Sequence, residues 1–358
     1  MTKEKFRVLV LADASSFHTE RYVAELLRQD VEVLLVSLEE GRIPHYRLAQ
    51  RTPFSPFWYA MAATEVRSII KDFKPDVLNP HFASGYGFTV ALANARKSVP
   101  VALHLWGSDI LVVPAKSIFH ARKTAHAVRH ADLVIGDSEY LIKEASKLAT
   151  LKEKLVVPWG IEREFLKFGA NRKPMKRPLR IIIPRHHEKI YNNLFLAQAL
   201  APLVNTGHIE LTFPSFGSLS GDFRLKTELL LGNAIHYYDP MNRPQFLEFM
   251  AGHDIYLSSA ITDSSPVSLI EAMGLGLIPV VADIPGVQEW LDDSSGYPYP
   301  LYDGAALQKI IGDLVKGAHN DDDLRKRNVR RIEQEALFEN NVAAMIAAMN
   351  NLRNRGSA

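Results

Sequence analysis

No cysteine occurs among the 358 residues. That absence excludes disulfides, thiolate-held zinc, iron–sulfur clusters and any cysteine nucleophile, and leaves histidine and carboxylates as the metal ligands to consider. Charge of one sign is not in excess either: 42 Lys and Arg stand against 40 Asp and Glu, for a formal net charge of +2. No polybasic surface is offered to nucleic acid, which is not expected as a partner. Long hydrophobic runs are also missing. The apolar stretch that follows the basic start MTKEKFR ends at Asp13, too short for a signal segment and far too short to span a bilayer, so cytoplasmic residence is expected.

What the chain does have is apolar residue in quantity, 47% hydrophobic against 23% charged, enough for two domains of ordinary size and therefore for a cleft. Residues 7–12 read as a buried strand, 13–16 as a polar turn, the stretch to about Arg28 as a helix and 31–37 as a second strand. Short apolar strands recur at 77–79, 99–105, 133–135 and 156–158, with helical patterns between most of them. After the basic, proline-containing stretch GANRKPMKRPLR the alternation resumes, with strands at 181–184, 209–213, 235–237, 255–258 and 277–282 and a helix over 193–203. Strands alternating with helices predict parallel sheets covered on both faces. The expected divisions are 1–168, a linker at 169–180, a second domain at 181–325 and a helical tail at 326–358 that crosses back to the first.

Open parallel sheets bind ligands beyond the carboxyl ends of their strands, where helix N-termini present unpaired amides. The informative stretch is SSAITDSSPVSLIEAMGLGLIPVVADIPGVQEW, which starts at Ser258. Its polar turn leads through Ser265 and Pro266 into a helix, so amides around Val267 and Ser268 are placed to hold an anion. Asp263 precedes that helix and Glu271 lies inside it, about 10 Å apart from the helical rise. Hydrolytic carboxylate pairs stand about 5–9.5 Å apart, so this pair suits an extended diphosphate ligand better than a single glycosidic bond. Plainer uses stay open: Asp263 as a capping acid, Glu271 as a solvated helix residue. Arg185, after the strand IIIP, offers a bidentate fork to phosphate and equally suits an ion pair. Gly217 and Ser218 in PSFGS, and Ser16 in the first polar turn, are further candidates for contact with phosphate or base, or plain turns. His104 and His81 sit at strand ends where a buried, structurally satisfied histidine is also expected.

The stretch from Asp263 resembles the signature of the retaining, GT-B-fold glycosyltransferases of family 4: a Glu, here shortened to Asp, seven residues, a second Glu followed by Ala-Met, then Gly-x-Pro-Val-Val. Here these are Asp263, Glu271-Ala272-Met273, and Gly276 to Val281 with Leu277-Ile278 before Pro279. LHLWGSDI is similar to the family's His-Gly-x-Asp element with Trp106 at the histidine position, and VVPWGIEREF to its Pro-Asn-Gly hinge segment. The resemblance implies an α/β GT-B architecture, two Rossmann-like domains facing each other across a cleft, the first on the acceptor side and the second binding a nucleotide diphosphate-sugar, with UDP-sugar favoured. It implies Arg185 and Lys189 as neutralising groups for the diphosphate, Glu271 on the ribose, Asp263 on the donor sugar and His104 as a hydrogen-bonding group near the transferred sugar. Neither metal nor cofactor is expected. The acceptor is expected to be a saccharide, a lipid-linked saccharide or a small molecule. Phe54, Phe57, Trp58 and Tyr59 could give it an apolar surface or a weak peripheral contact at the inner face of the membrane, or simply pack a helix. Rivals on the same architecture are a nucleotide-sugar epimerase or hydrolase and a non-catalytic nucleotide-sugar-binding protein.

Overall fold

The computed structural model describes residues 5–49, 58–170, 172, 175–292, 294–317 and 321–356. The first half holds the strands β1 (Arg7–Leu11), β2 (Glu32–Ser37), β3 (Tyr46–Arg47), β4 (Val77–Pro80), β5 (Ala102–His104), β6 (Leu133–Gly136) and β7 (Lys154–Val156), of which β4, β5 and β6 are buried throughout and the short edge strand β3 is exposed. All pair in parallel, β3-β2-β1-β4 on one side and β5-β6-β7 on the other. Isolated bridges Leu78–Val101 and His81–His104 join β4 to β5. The order is that of a doubly wound sheet, with its reversal between β1 and β4. Leu9, Leu11, Val36, Leu78, Leu103 and Val134 form one continuous core with the covering helices. Each such side chain contributes on the order of 2 kcal/mol by leaving water.

The second half repeats the plan with β8 (Leu179–Ile182), β9 (Ile209–Pro214), β10 (Ile235–Tyr238), β11 (Ile255–Ser258), β12 (Ile278–Ala282) and β13 (Tyr297–Tyr299). Their order is β10-β9-β8-β11-β12-β13, again parallel throughout. Alternation of side chains sorts the residues onto two faces. Ile181, Ile255, Leu257 and Val280 enter one core, while Ile182, Tyr256 and Val281 enter the other with the helix Val267–Gly274. The strand order reverses between β8 and β11, the position at which sheets of this kind bind ligands, and the loops that follow these two strands are joined by a backbone hydrogen bond from Ile261 to Ile190 at 2.8 Å.

The chain separates into two compact units, Met1–Pro158 with Glu339–Ala358, and Trp159–Phe338. The change of unit therefore falls at Pro158, not within 169–180; the helix Leu166–Ala170 already belongs to the second unit. The reason is local packing. Trp159 stacks on Phe338, and Ile161 exchanges backbone hydrogen bonds with Ala336 and Phe338 at 2.9 and 3.0 Å. The tail expected as one helical stretch is two helices, Asp321–Glu335 and Phe338–Gly356, broken at Ala336 and Leu337. The second rests on the first unit: Asn341 donates to the Pro158 carbonyl at 2.8 Å and Arg353 pairs with Asp76 at 3.2 Å. Of the aromatic segment before residue 62, Phe54 and Phe57 lie outside the described residues. Trp58 and Tyr59 are half-buried and pack against the first unit's core.

Candidate active site

Arg185 follows β8 and Asp263 follows β11, so the two residues flank the reversal of the second sheet. Their side chains meet: Arg185 Nη2 donates to Asp263 Oδ2, and Nη1 reaches Ser268 Oγ at 3.3 Å. The guanidinium also lies 4.2 Å from the centre of the Tyr191 ring. Ser268 is in turn 3.0 Å from the Tyr256 hydroxyl, which comes from the middle of β11. Burial alone would lower the pKa of Arg185, but the Asp263 carboxylate outweighs it and holds the guanidinium more firmly charged than usual. Pro266 is extended, with φ −62° and ψ 111°, and precedes the helix Val267–Gly274. The first amides of that helix, at Val267 and Ser268, therefore stand outside its own hydrogen-bond ladder beside the arginine.

Glu271 lies further along the same helix and is buried, 4% exposed. Its Oε1 accepts from Arg243 Nη1. Arg243 also grips Glu162, with Nε 2.9 and 3.0 Å from the two carboxylate oxygens and Nη2 2.7 Å from Oε2. Burial would lower the Arg243 pKa; the two carboxylates raise it instead. Nothing local in the sequence marks Arg243 as the residue that joins Glu271 to Glu162, because its partners lie 81 and 28 positions away. The only signal near it is a helix start, Asn242 capping Gln245 at 3.1 Å with Pro244 in the first turn.

The remaining sequence candidates are placed less directly. Ser265 accepts from the Trp290 indole at 2.8 Å, so its hydroxyl secures the loop. Lys189 is exposed on the turn Lys189–Tyr191. The amide and hydroxyl of Ser218 donate to Glu188 at 2.8 and 2.5 Å, which holds that carboxyl below its usual range. Gly217 has φ +123° and presses on the His187 backbone, where a Cβ would come within 2.3 Å of His187 N. The His187 tautomer follows from its partners: Nδ1 accepts from Asn193 at 3.1 Å and Nε2 donates to the Pro214 carbonyl at 2.7 Å. These contacts tie the loop after β9 to the loop that carries Arg185.

In the first unit His104 ends β5 fully buried, its ring 4.7 Å from that of His81 and 6.1 Å from that of Trp106. Burial pushes His104 down to about 3 and takes His81 well below its ordinary range, so both imidazoles are neutral. Asn79 organises the pair: its oxygen is 2.9 Å from the Tyr22 hydroxyl and 3.2 Å from His81 Nε2, and its amide donates to Ala102 O at 2.7 Å. Trp106 is half-buried, with His18 at 5.6 Å between ring centres. Asp109 accepts from the amides of Ala83 and Trp106 at 2.7 and 3.0 Å and so shapes this loop; burial pushes its carboxyl up to about 6. Ser16 is the N-cap of the helix Phe17–Arg28, without a side-chain capping bond. The structure thus assembles Arg185, Asp263 and Ser268 into one group and Glu271, Arg243 and Glu162 into a second, and holds His104 and Ser16 in the other unit. Among the described residues no cluster of three His, Asp or Glu side chains could hold a metal, and no helix is long and apolar enough to cross a membrane.

Comparison with known proteins bears on both units. Residues 7–138 match the family model "Glycosyl transferase 4-like", and residues 170–331 match "Glycosyl transferases group 1". The teichuronic acid biosynthesis glycosyltransferase TuaC of Bacillus subtilis (strain 168) is 24% identical over 264 residues, 68% of this chain and 64% of that protein. The amylovoran biosynthesis glycosyltransferase AmsK of Erwinia amylovora is 26% identical over 267 residues, 69% of this chain and 63% of its own length. The chain therefore spans somewhat less than two thirds of these relatives. The crystal structure of Anabaena HepE in complex with UDP and glucose superposes with a TM-score of 0.78 over 96% of this chain and 99% of the other, at 15% identity. Matched in sequence across its first and second units and in fold over nearly its whole length, the chain belongs to the GT-B-fold glycosyltransferases of family 4, group 1.

Proposed function

We propose that this protein transfers a sugar, with retention of anomeric configuration, from a nucleoside diphosphate-sugar to a saccharide, lipid-linked or small-molecule acceptor. The observation that carries the reading is the Arg185 guanidinium, half-buried at the sheet reversal beside Asp263, Ser268 and the first amides of a helix. That is an anion site with a planar fork and no need of a metal. The diphosphate occupies it and the ribose takes Glu271. Asp263 accepts from a hydroxyl of the donor sugar. UDP is the favoured nucleotide, in keeping with the HepE complex with UDP and glucose. A polysaccharide or lipid-linked acceptor, bound on the first unit near His104 and Trp106, is in keeping with the named roles of the two relatives.

In the reaction the bond between the anomeric carbon and the diphosphate oxygen breaks, and its electron pair stays on the phosphate. Arg185 stabilises that growing charge. The acceptor hydroxyl oxygen bonds to the same face of the anomeric carbon, and its proton passes to the leaving phosphate oxygen. His104, fully buried and neutral, is not a base in this step. The test is incubation with UDP-, ADP- and GDP-sugars and oligosaccharide acceptors in the presence of a chelator, followed by NMR of the product. An acceptor-linked sugar with the donor's anomeric configuration supports the reading. Epimerised or free sugar without transfer would assign the epimerase or hydrolase function instead.

A further inference from the structure

Arg243 binds more acid than it needs. Glu162 alone satisfies its fork through Nε and Nη2, yet the third arm, Nη1, extends to Glu271 on a different helix. Two carboxylates from different elements converge on this one guanidinium, whereas Arg185 meets the single carboxylate of Asp263 beside a helix N-terminus. A ligand carrying phosphates at one end and hydroxyls at the other meets two unlike subsites on one unit. Phosphate is favoured at Arg185; hydroxyl donors are favoured at the triad.

We propose that Arg243 is a positioning residue that makes the second unit select ribonucleotides over deoxyribonucleotides, by fixing the Glu271 carboxylate as a receptor for the ribose diol. The inference rests on the assignment of a nucleoside diphosphate to this unit. Arg243 is the first residue of the helix Arg243–Ala251, whose start is set by the Asn242 cap and Pro244, so its backbone is placed before its side chain reaches out. Glu271 is almost entirely removed from water, where a carboxylate takes the rotamer its charged partner dictates. One guanidinium N–H uses one of roughly four lone-pair sites on that carboxylate. The others accept from hydroxyls and gain nothing from the C–H that replaces a hydroxyl in a deoxyribose.

The experiment is calorimetric titration of the full chain with UDP, 2′-deoxy-UDP and UMP, and with the matching ADP and GDP sets. The proteins are the wild type, Arg243→Lys and the milder Glu162→Gln, each checked for a cooperative melt. Wild type should prefer the ribose form about tenfold, the value of one charge-assisted hydrogen bond. Arg243→Lys keeps the charge without the fork, and its ratio should fall to about one while its preference for diphosphate over monophosphate stays. Glu162→Gln should lie between. A folded Arg243→Lys or Glu162→Gln protein with the full wild-type ribose preference would overturn the positioning role while leaving the donor assignment intact. Absence of ribose discrimination in the wild type would overturn the proposal, and absence of nucleoside diphosphate binding would remove the donor assignment with it.

Discussion

Arg185 and Asp263, 78 positions apart, are joined side chain to side chain across the reversal of the second sheet. The pair is mostly buried, its side chains 16% and 18% exposed. A diphosphate entering this site would share the guanidinium with the carboxylate already on it.

Asp263→Asn should therefore tighten binding of free UDP and slow sugar transfer. Removing the competing charge from a partly buried pair is worth on the order of 1 kcal/mol, roughly fivefold in affinity. The asparagine accepts less strongly from a donor-sugar hydroxyl. Titration with UDP and single-turnover transfer measure the two effects separately; weaker UDP binding by the variant would show that Asp263 helps to hold the diphosphate.

Gly286 is a second determinant of the same loop. A Cβ there would stand 2.2 Å from Ser264 O and 2.3 Å from Asp263 O. Gly286→Ala must push the Asp263 backbone aside, at a cost of about 1–3 kcal/mol. The expected result is a melting temperature of the second unit lower by about 2–4 °C per kcal/mol, the range for a unit of that size, together with a smaller stabilisation by UDP. A melt and a UDP response equal to those of the wild type would contradict this packing.

Acid should weaken the protein through its buried histidines. His81 and His104 are neutral when folded, while in the unfolded chain each takes a proton below about pH 6.5. The unfolded state then binds more protons, so stability falls as pH drops through 6.5, by up to about 1.4 kcal/mol per pH unit for each histidine. His253 in the second unit, pushed down to about 4 by burial, adds in the same direction. Asp109 works the other way. With its folded pKa raised to about 6, it contributes stability that is complete below the unfolded value near 4 and lost as pH rises through 6. It therefore offsets one histidine within that window. Melting curves from pH 7.5 to 5 should show a decline that is shallower in His104→Gln, and identical slopes would remove His104 from the explanation.

The alternation of strands and helices was legible because branched apolar runs such as RVLVL and IIIP bury both faces of a parallel strand and leave little else for those residues to do. β3 and β13, short and built around tyrosines, carry no such run and were not expected. The change of unit was misplaced because GANRKPMKRPLR has the composition of a linker, whereas PWGI is anchored by contacts with Ala336 and Phe338 that no local pattern reveals. At the site, the acid–x7–Glu spacing located Asp263 and Glu271, and a strand end located Arg185. That Arg185 bonds to Asp263, and that Arg243 spans Glu162 and Glu271, depends on pairings across 28 to 81 residues. Ser265 shows the converse: the motif marked its position, but only the fold shows that its hydroxyl belongs to Trp290.

The central claim is that Arg185 and the adjoining helix start bind a diphosphate without metal, and it is tested most directly by comparing UDP with UMP in a chelator, on wild type and Arg185→Ala. The additional phosphate should tighten binding to the wild type about tenfold or more, as expected for a charge-assisted bidentate contact. Arg185→Ala should lose most of that difference while still binding UMP, and turnover should fall roughly a hundredfold, since the charge on the leaving oxygen grows toward the transition state. Equal affinities of the wild type for UDP and UMP, or an undiminished preference for UDP in a folded Arg185→Ala protein, would contradict the account.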